Sequence, residues 1–347
     1  MIDFERRLAK IAAIEFYLPE NILSNNDLEK LFDSWSAERI YKSTGIINRR
    51  FANKDECASD MGVQAAKRLI ENNQLDPKKI EMLIFCTQTP DYIVPSTACI
   101  IQDRLGLSNS CAAFDYTLGC SGYIYGLAIA NAFIVSNMVK NVLLITGDTV
   151  TKLFNPGDKS VRMVMGDAAS ATYLDTENGF AEISGDFVLG TDGSGYQDLI
   201  VPAGAFRIPK TVETAIEKEC EEGNIRSQED FYMNGTKVFV FTIKRVPETI
   251  NILMEKNRIT LDNIDWFVLH QANKFIIDYL VKKTGIPKNK VLFCLEEYGN
   301  TSASSIPIVL KDAQSKNIFK KDDLILTIGF GIGYSWGANL LRWTDNT

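Results

Sequence analysis

Two apolar patterns recur along the chain. Asp60–Asn73 spaces Met61, Ala65, Ala66 and Leu69 at the helical period, and Ile80–Thr87 follows as a continuous apolar run of strand length. Leu75-Asp76-Pro77 marks the break between them. The same order returns later. Val238–Asn257 predicts a helix, Leu261-Asp262-Asn263 a break, and Ile264–Leu269 a strand, with Leu75 and Leu261 lying 186 positions apart. A second pair of strands, Asn141–Asp148 and Asp323–Phe330, repeats at 182 positions, measured between Gly147 and Gly329. Unbroken apolar strands of this kind belong to a sheet covered on both faces. The pattern therefore predicts an α/β fold in which one βαβ-type unit is used twice, as halves 1–175 and 176–347.

The repeat also organises the chemistry. Cys120 shifted by 182 positions falls on Ser302, so Leu118–Gly122 and Tyr298–Ser305 occupy equivalent places, each opening a helix. His270 shifted back by 184 to 186 falls near the end of the Ile80–Thr87 strand. Ligands gather beyond the carboxyl ends of strands and at helix N-termini. A duplicated fold would thus bring Cys120, His270 and Asn300 into one crevice between the halves. Pro202–Gly235, rich in Glu, Lys and Gly, interrupts the pattern and is expected as a surface insertion over the site mouth.

Composition narrows the setting. At 347 residues the chain can bury a large core, and 46% apolar with 23% charged residues is ordinary for a soluble globular protein. A net charge of −7 argues against nucleic acid as the default partner. No apolar run approaches the roughly 18 to 20 residues that a membrane span requires. Met1–Arg7 lacks the basic-then-apolar order of a signal peptide. Seven cysteines without a Cys-x-x-Cys pair favour reduced thiols in a cytoplasm, and a single histidine makes a zinc site an unfavoured reading.

Any chemistry that needs an imidazole must use His270, the one histidine, which ends a strand-like run. Cys120 sits between Gly119 and Gly122 just before an apolar helix. A thiol at a helix N-terminus meets unsatisfied N–H groups and the positive end of the dipole, so a lowered thiol pKa is expected there. Asn300 suits a helix N-cap, and can also present its amide to a ligand. Cys, His and Asn together suggest a thiol nucleophile with imidazole and amide partners. Gly329–Gly337 lacks the G-x-G-x-x-G spacing of a dinucleotide loop; Gly333 is a candidate to offer an N–H beside that of Cys120 to an oxyanion. Met165–Ala169 reads as a strand-ending bend. A cysteine hydrolase shares the Cys, His, Asn order, an acyltransferase to an alcohol or amine is a second rival, and a silent scaffold a third.

Taken together, His270-Gln271-Ala272-Asn273, Gly299-Asn300-Thr301-Ser302-Ala303, Pro95-Ser96-Thr97-Ala98-Cys99 and Phe114-Asp115 before Cys120 resemble the thiolase-fold condensing enzymes, most closely β-ketoacyl-acyl-carrier-protein synthase III. The resemblance runs from Ser43–Arg50 to Tyr334–Leu340. It implies a five-layered αβαβα fold, a homodimer, and decarboxylative Claisen condensation that begins fatty acid or related acyl-chain synthesis. Cys120 would take an acyl group from a thioester. His270 and Asn300 would hydrogen-bond the malonyl thioester oxygen as CO2 leaves, and the Cys120 and Gly333 amides would hold the tetrahedral oxyanion. Coenzyme A and acyl-carrier-protein thioesters serve as substrates, with no metal or other cofactor. Departures concern the donor. Where the family stacks an aromatic residue and an Arg on adenine, this chain has Arg39 and Lys159, and Phe275 replaces an Arg beside Lys274. Lys282 and Lys283 keep the carrier-protein patch, with Lys288 and Lys290 following. The expectation is weak use of acetyl-coenzyme A and preference for a carrier-bound or longer acyl donor.

Overall fold

The computed structural model describes residues 8–344; Met1–Arg7, read above for a leader, lies outside the described residues. Among the described residues, nine strands form one hydrogen-bonded sheet: β1 (Lys10–Tyr17), β2 (Met82–Cys86), β3 (Ala112–Tyr116), β4 (Asn141–Asp148), β5 (Ala168–Asp175), β6 (Ala181–Thr191), β7 (Trp266–Leu269), β8 (Leu324–Gly331) and β9 (Ser335–Trp343). Their order is β7-β8-β9-β6-β1-β5-β4-β2-β3. From β1 the sheet steps antiparallel to β5 and β4, then parallel to β2 and β3. From β6 it steps antiparallel to β9 and β8, then parallel to β7. Where a fifth strand would follow, Val291 makes a parallel bridge to Phe267. The two sets meet edge to edge at Lys10–Glu182 and Ile11–Ala181.

Six helices complete the layers: α1 (Ala58–Asn72), α2 (Thr97–Arg104), α3 (Gly122–Val135), α4 (Gly235–Asn257), α5 (Lys274–Thr284) and α6 (Ser305–Ser315). Helix α3 packs on β2 and β4 of one set and on β6, β8 and β9 of the other, and α6 packs on β1, β5 and β7. These two helices form the middle layer. Helices α1 and α2 cover the outer face of the first set, while α4, with α5 packed on it, covers that of the second. The result is the expected five-layered αβαβα duplication.

Side-chain pattern explains the layering. Helix α3, Gly122-Tyr-Ile-Tyr-Gly-Leu-Ala-Ile-Ala-Asn-Ala-Phe-Ile-Val135, carries no charge, as a helix enclosed between two sheets requires. In β4 and β8 every residue is buried. Val142 and Leu144 enter the central core with Ile124 and Val309, whereas Leu143 and Ile145 pack outward with Leu69 and Phe85. Each such buried Leu or Ile contributes about 1.5–3 kcal/mol. Within the insertion, Lys218–Glu219 pairs with Ile225–Arg226, and Tyr232–Met233 pairs with Leu199–Ile200.

Candidate active site

The layers bring the ends of β2, β4, β7 and β8 together with the starts of α3 and α6. A cavity of ≈ 120 Å³ opens there, lined by Cys120, His270 and Asn300. Phe330, Val238, Ile276 and Val164 make it largely apolar, and Phe231 and Met233 of the insertion form part of its wall. The three residues singled out in sequence therefore converge.

Cys120 lies two positions before the first residue of α3, with the N-cap Ser121 between them. Strand β8 passes so close that a Cβ on Gly331 would lie 2.8 Å from the Cys120 Cβ and 2.9 Å from its sulfur. The backbone of Cys120 and Ile332 and the Ser302 side chain act to lower the thiol pKa. Burial first, then the charge of Asp148, nonetheless pushes the thiol up to about 12, the reverse of the lowering expected from the helix terminus. Desolvation of a thiolate outweighs the dipole here. The amide expected from Gly333 is also revised. Gly333 is not among the cavity-lining residues, and the backbone turns there at φ 133°, so the approach to the sulfur is made one residue earlier, by Ile332.

His270 is 1% exposed and its backbone N–H donates to Ile328 O at 2.8 Å. Its ring meets Phe330 edge-on, 5.5 Å between centroids. Burial pushes its pKa down to about 3, so the ring is neutral. Nδ1 lies 2.7 Å from Ser305 Oγ, and that oxygen already accepts from the Gln271 N–H at 3.4 Å. A Ser305 hydroxyl that donates to Nδ1 leaves the ring proton on Nε2, and one that accepts from Nδ1 leaves it on Nδ1 instead.

Asn300 is held through its backbone: its N–H donates to Val164 O, and the Gly166 N–H donates to Asn300 O, both at 2.9 Å. A Cβ on Gly166 would lie 2.7 Å from Tyr298 O. Met165–Gly166 is thus the clamp on Asn300 rather than only a strand-ending bend. The N-cap of α6 is Ser304; Asn300 instead uses Oδ1 to accept the Ser302 N–H at 3.0 Å, leaving Nδ2 as a donor.

Sequence reading missed a second polar group beside the cavity. Asp148, 2% exposed at the end of β4, accepts from the Gln88 N–H (2.7 Å), Gln88 Nε2 (3.2 Å) and Thr87 Oγ1 (3.3 Å). Gln88 Nε2 also reaches Ser302 Oγ at 3.1 Å. The available signal was a carboxylate ending an otherwise apolar strand.

The donor-related positions lie outside this cavity's lining. Arg39 stacks its guanidinium 4.1 Å from the Trp35 ring and donates to Ser34 O at 2.9 Å. Lys159 begins the short helix Lys159–Arg162, its backbone N–H on Asn224 Oδ1 at 3.2 Å. Lys274 is paired with Asp278, which also holds Lys288 at 3.3 Å. Lys282 and Lys283 stand exposed in the last turn of α5.

A five-layered duplication with a thiol before one middle helix and an imidazole and amide facing it from the other half defines the class of thiolase-fold condensing enzymes. Residues 114–193 match the family model described as 3-oxoacyl-[acyl-carrier-protein (ACP)] synthase III, and residues 254–343 match its C-terminal model. A "Beta-ketoacyl-[acyl-carrier-protein] synthase III" of Caldanaerobacter subterraneus subsp. tengcongensis is 40% identical over 341 residues, 98% of this chain and 99% of that protein. A crystal structure of 3-oxoacyl-(acyl-carrier-protein) synthase III superposes with a TM-score of 0.94 at 42% identity, covering 97% of this chain and 100% of that one. The synthase from Burkholderia xenovorans LB400 gives 0.89 at 34%, over 98% of this chain and 95% of that one. The chain belongs to the β-ketoacyl-[acyl-carrier-protein] synthase III family.

Proposed function

We propose that this chain catalyses decarboxylative Claisen condensation of an acyl thioester with malonyl-acyl-carrier protein, the first carbon–carbon bond of an acyl chain. Cys120 takes the acyl group, releasing the donor thiol. The malonyl thioester then loses CO2, and its carbanion attacks the acyl-Cys carbonyl. His270 Nε2–H and Asn300 Nδ2–H hydrogen-bond the thioester oxygen that becomes an enolate, and the Cys120 and Ile332 amides hold the tetrahedral oxyanion, Ile332 replacing Gly333 in that role. The chemistry draws on the thioesters themselves and on no further cofactor.

The observation that carries this reading is the His270 ring, kept neutral by burial in a largely apolar cavity shared with Cys120 and Asn300, and we read its proton as sitting on Nε2. Such a ring donates to an enolate. A cysteine hydrolase needs the same nitrogen to accept a proton, and condensation needs water kept away from the acyl-Cys. The exposed Lys282 and Lys283 suit an acidic carrier protein. A homodimer working in the cytoplasm is part of the reading. Exposed Tyr92, Ile93 and Val94 offer apolar surface for a second copy, and light scattering reports the mass.

Mass spectrometry after mixing with an acyl thioester and malonyl-carrier protein tests the activity. A 3-ketoacyl product is expected. Free acid alone would place the chain with the hydrolases, an acylated alcohol or amine with the other acyltransferases, and no adduct on Cys120 with scaffolds.

A further inference from the structure

Met165 lines two cavities. One is the active-site cavity, which Val150 also lines. The other, of ≈ 290 Å³, is lined by the next residue, Thr151, and by Leu23 and Phe51 of the hairpin that pairs Asn21–Ser24 with Asn48–Phe51. Phe154 and Met165 add further apolar wall, and two guanidinium side chains, Arg49 and Arg162, complete it. Among the described residues no carboxylate lines this second cavity. The Thr151 hydroxyl is already committed, donating to Asp167 Oδ2 at 2.5 Å. Nothing in the condensation chemistry uses this space.

The two guanidinium groups lack a counter-charge. Arg49 is 1% exposed and donates to Asn25 Oδ1 (2.8 Å), Met163 O (2.7 Å) and Leu23 O (3.3 Å), all uncharged, while its Nε is buried without a hydrogen-bond partner. Arg162, half-buried, donates to Pro156 O at 2.8 Å. Among the described residues neither forms an ion pair. The nearby carboxylates are engaged elsewhere: Asp167 accepts from Thr151 and from the Ala52 N–H at 2.9 Å, and Asp158 pairs with Arg226 at 2.7 Å. Burial lowers Arg49 to about 10 and lowers Arg162 as well, and both remain cations at neutral pH. An unpaired buried charge is costly, and a planar guanidinium fork matches the two oxygens of a carboxylate.

We infer that this second cavity binds a carboxylate carried on a short- to medium-length apolar chain, its head on Arg162 and Arg49 and its chain along Leu23, Phe51, Phe154 and Met165. The volume lies just below the roughly 300–1,000 Å³ of ordinary small-molecule sites, which suits such a ligand. An alcohol of the same length would leave both cations unpaired, and inorganic phosphate would leave the apolar walls uncovered. Two sources supply the same chemistry. One is a free carboxylic acid. The other is the distal carboxylate of an acyl group held on Cys120 and reaching past Met165, a source that rests on the reading of Cys120 as the acylated nucleophile.

The test titrates octanoate, octanol and inorganic phosphate into the full-length protein by calorimetry, in wild type, Arg162→Met and Leu23→Trp. Octanoate should bind wild type more tightly than octanol or phosphate does. Arg162→Met should weaken octanoate about 10- to 10²-fold, the worth of a charged hydrogen bond, and leave octanol unchanged. Leu23→Trp, which fills the cavity and keeps both guanidinium groups, should weaken octanoate too, and decides the matter alone if Arg162→Met fails to fold. Octanoate that binds no better than octanol or phosphate, or equally well to wild type and variants, overturns the proposal. Single-turnover acylation with an octanoyl thioester and its ω-carboxylate counterpart separates the sources. A wild-type preference for the ω-carboxylate donor that Arg162→Met abolishes supports the acyl chain as occupant; octanoate binding without that preference supports the free acid. Wild type that carries no adduct on Cys120 overturns the reading of the nucleophile, while the calorimetry still decides the cavity.

Discussion

At Cys120 two local effects oppose each other. The start of α3 favours thiolate by about 0.3–1 kcal/mol at an ordinary exposed terminus, whereas removing a thiolate from water costs several times more. The thiol therefore stays protonated, pushed up to about 12, and as the proposed nucleophile would lose its proton only as it attacks. Cys120→Ala should abolish acyl labelling and leave the fold intact, because it trims one small side chain from a cavity wall; intact-mass measurement and circular dichroism check both parts. The tautomer of His270 separates two roles. His270→Ala should leave acylation of Cys120 substantially intact and slow malonyl decarboxylation about 10²- to 10³-fold, the usual cost of an oxyanion donor. Equal loss in both half-reactions, or ¹⁵N NMR placing the ring proton on Nδ1, would instead make His270 the base. This much was legible in sequence: the one histidine, the cysteine between glycines and the Asn-Thr-Ser segment. Their protonation states were not, since burial sets those.

Elements, rather than single side chains, set the distances. The end of β8 runs against the Cys120 sulfur, so Gly331 is required by close approach. Gly331→Ala adds a Cβ 2.9 Å from that sulfur and should displace it. Misplacement by about 1 Å can cost 10²-fold, and a loss of that order in the acylation rate is expected, together with a melting temperature lowered by overpacking worth about 1–3 kcal/mol. The helix Ala37–Thr44 and α5 concern the donor. Arg39 is already stacked on Trp35, and Lys159 has no planar face to offer adenine. A stacking contact is worth roughly 1–3 kcal/mol. We therefore expect kcat/KM to be lower for acetyl-coenzyme A than for a carrier-bound or longer acyl donor at fixed malonyl acceptor. Equal or better use of acetyl-coenzyme A against every other donor would refute this.

For the whole molecule, enclosing an imidazole between layers ties stability to pH. The folded pKa of His270 is depressed to about 3 from an ordinary value near 6.5. The unfolded chain thus binds the extra proton between those values. The contribution is fully present above about 6.5 and is lost as pH falls toward 3. At 1.36 kcal/mol per pKa unit this is about 3 kcal/mol at pH ~4.5. Asp148 and Asp167, both raised to about 6, act in the opposite sense: they favour the fold at low pH and lose that contribution as pH rises toward 6. Their effect cancels when wild type is compared with His270→Gln. Denaturant unfolding at both pH values should show wild type losing about 3 kcal/mol more than the variant on acidification; parallel loss would mean that His270 is not buried neutral.

The sequence alone determined the repeat, the continuous apolar strands and the chemistry-bearing residues. Period and run length are properties of consecutive positions, and a strand buried on both faces must be apolar throughout. The Cys120, His270 and Asn300 triad followed because helix starts and strand ends are legible locally. Tertiary structure decided what depends on partners distant in the chain: Ile332 rather than Gly333 against the sulfur, Met165–Gly166 clamping Asn300 across 135 positions, Arg39 folded onto Trp35, and the link from Asp148 through Gln88 to Ser302. It also decided the charge states. Desolvation is a property of the enclosed volume, and no spacing of residues along a chain reveals how completely two sheets will close over a thiol, an imidazole and a carboxylate.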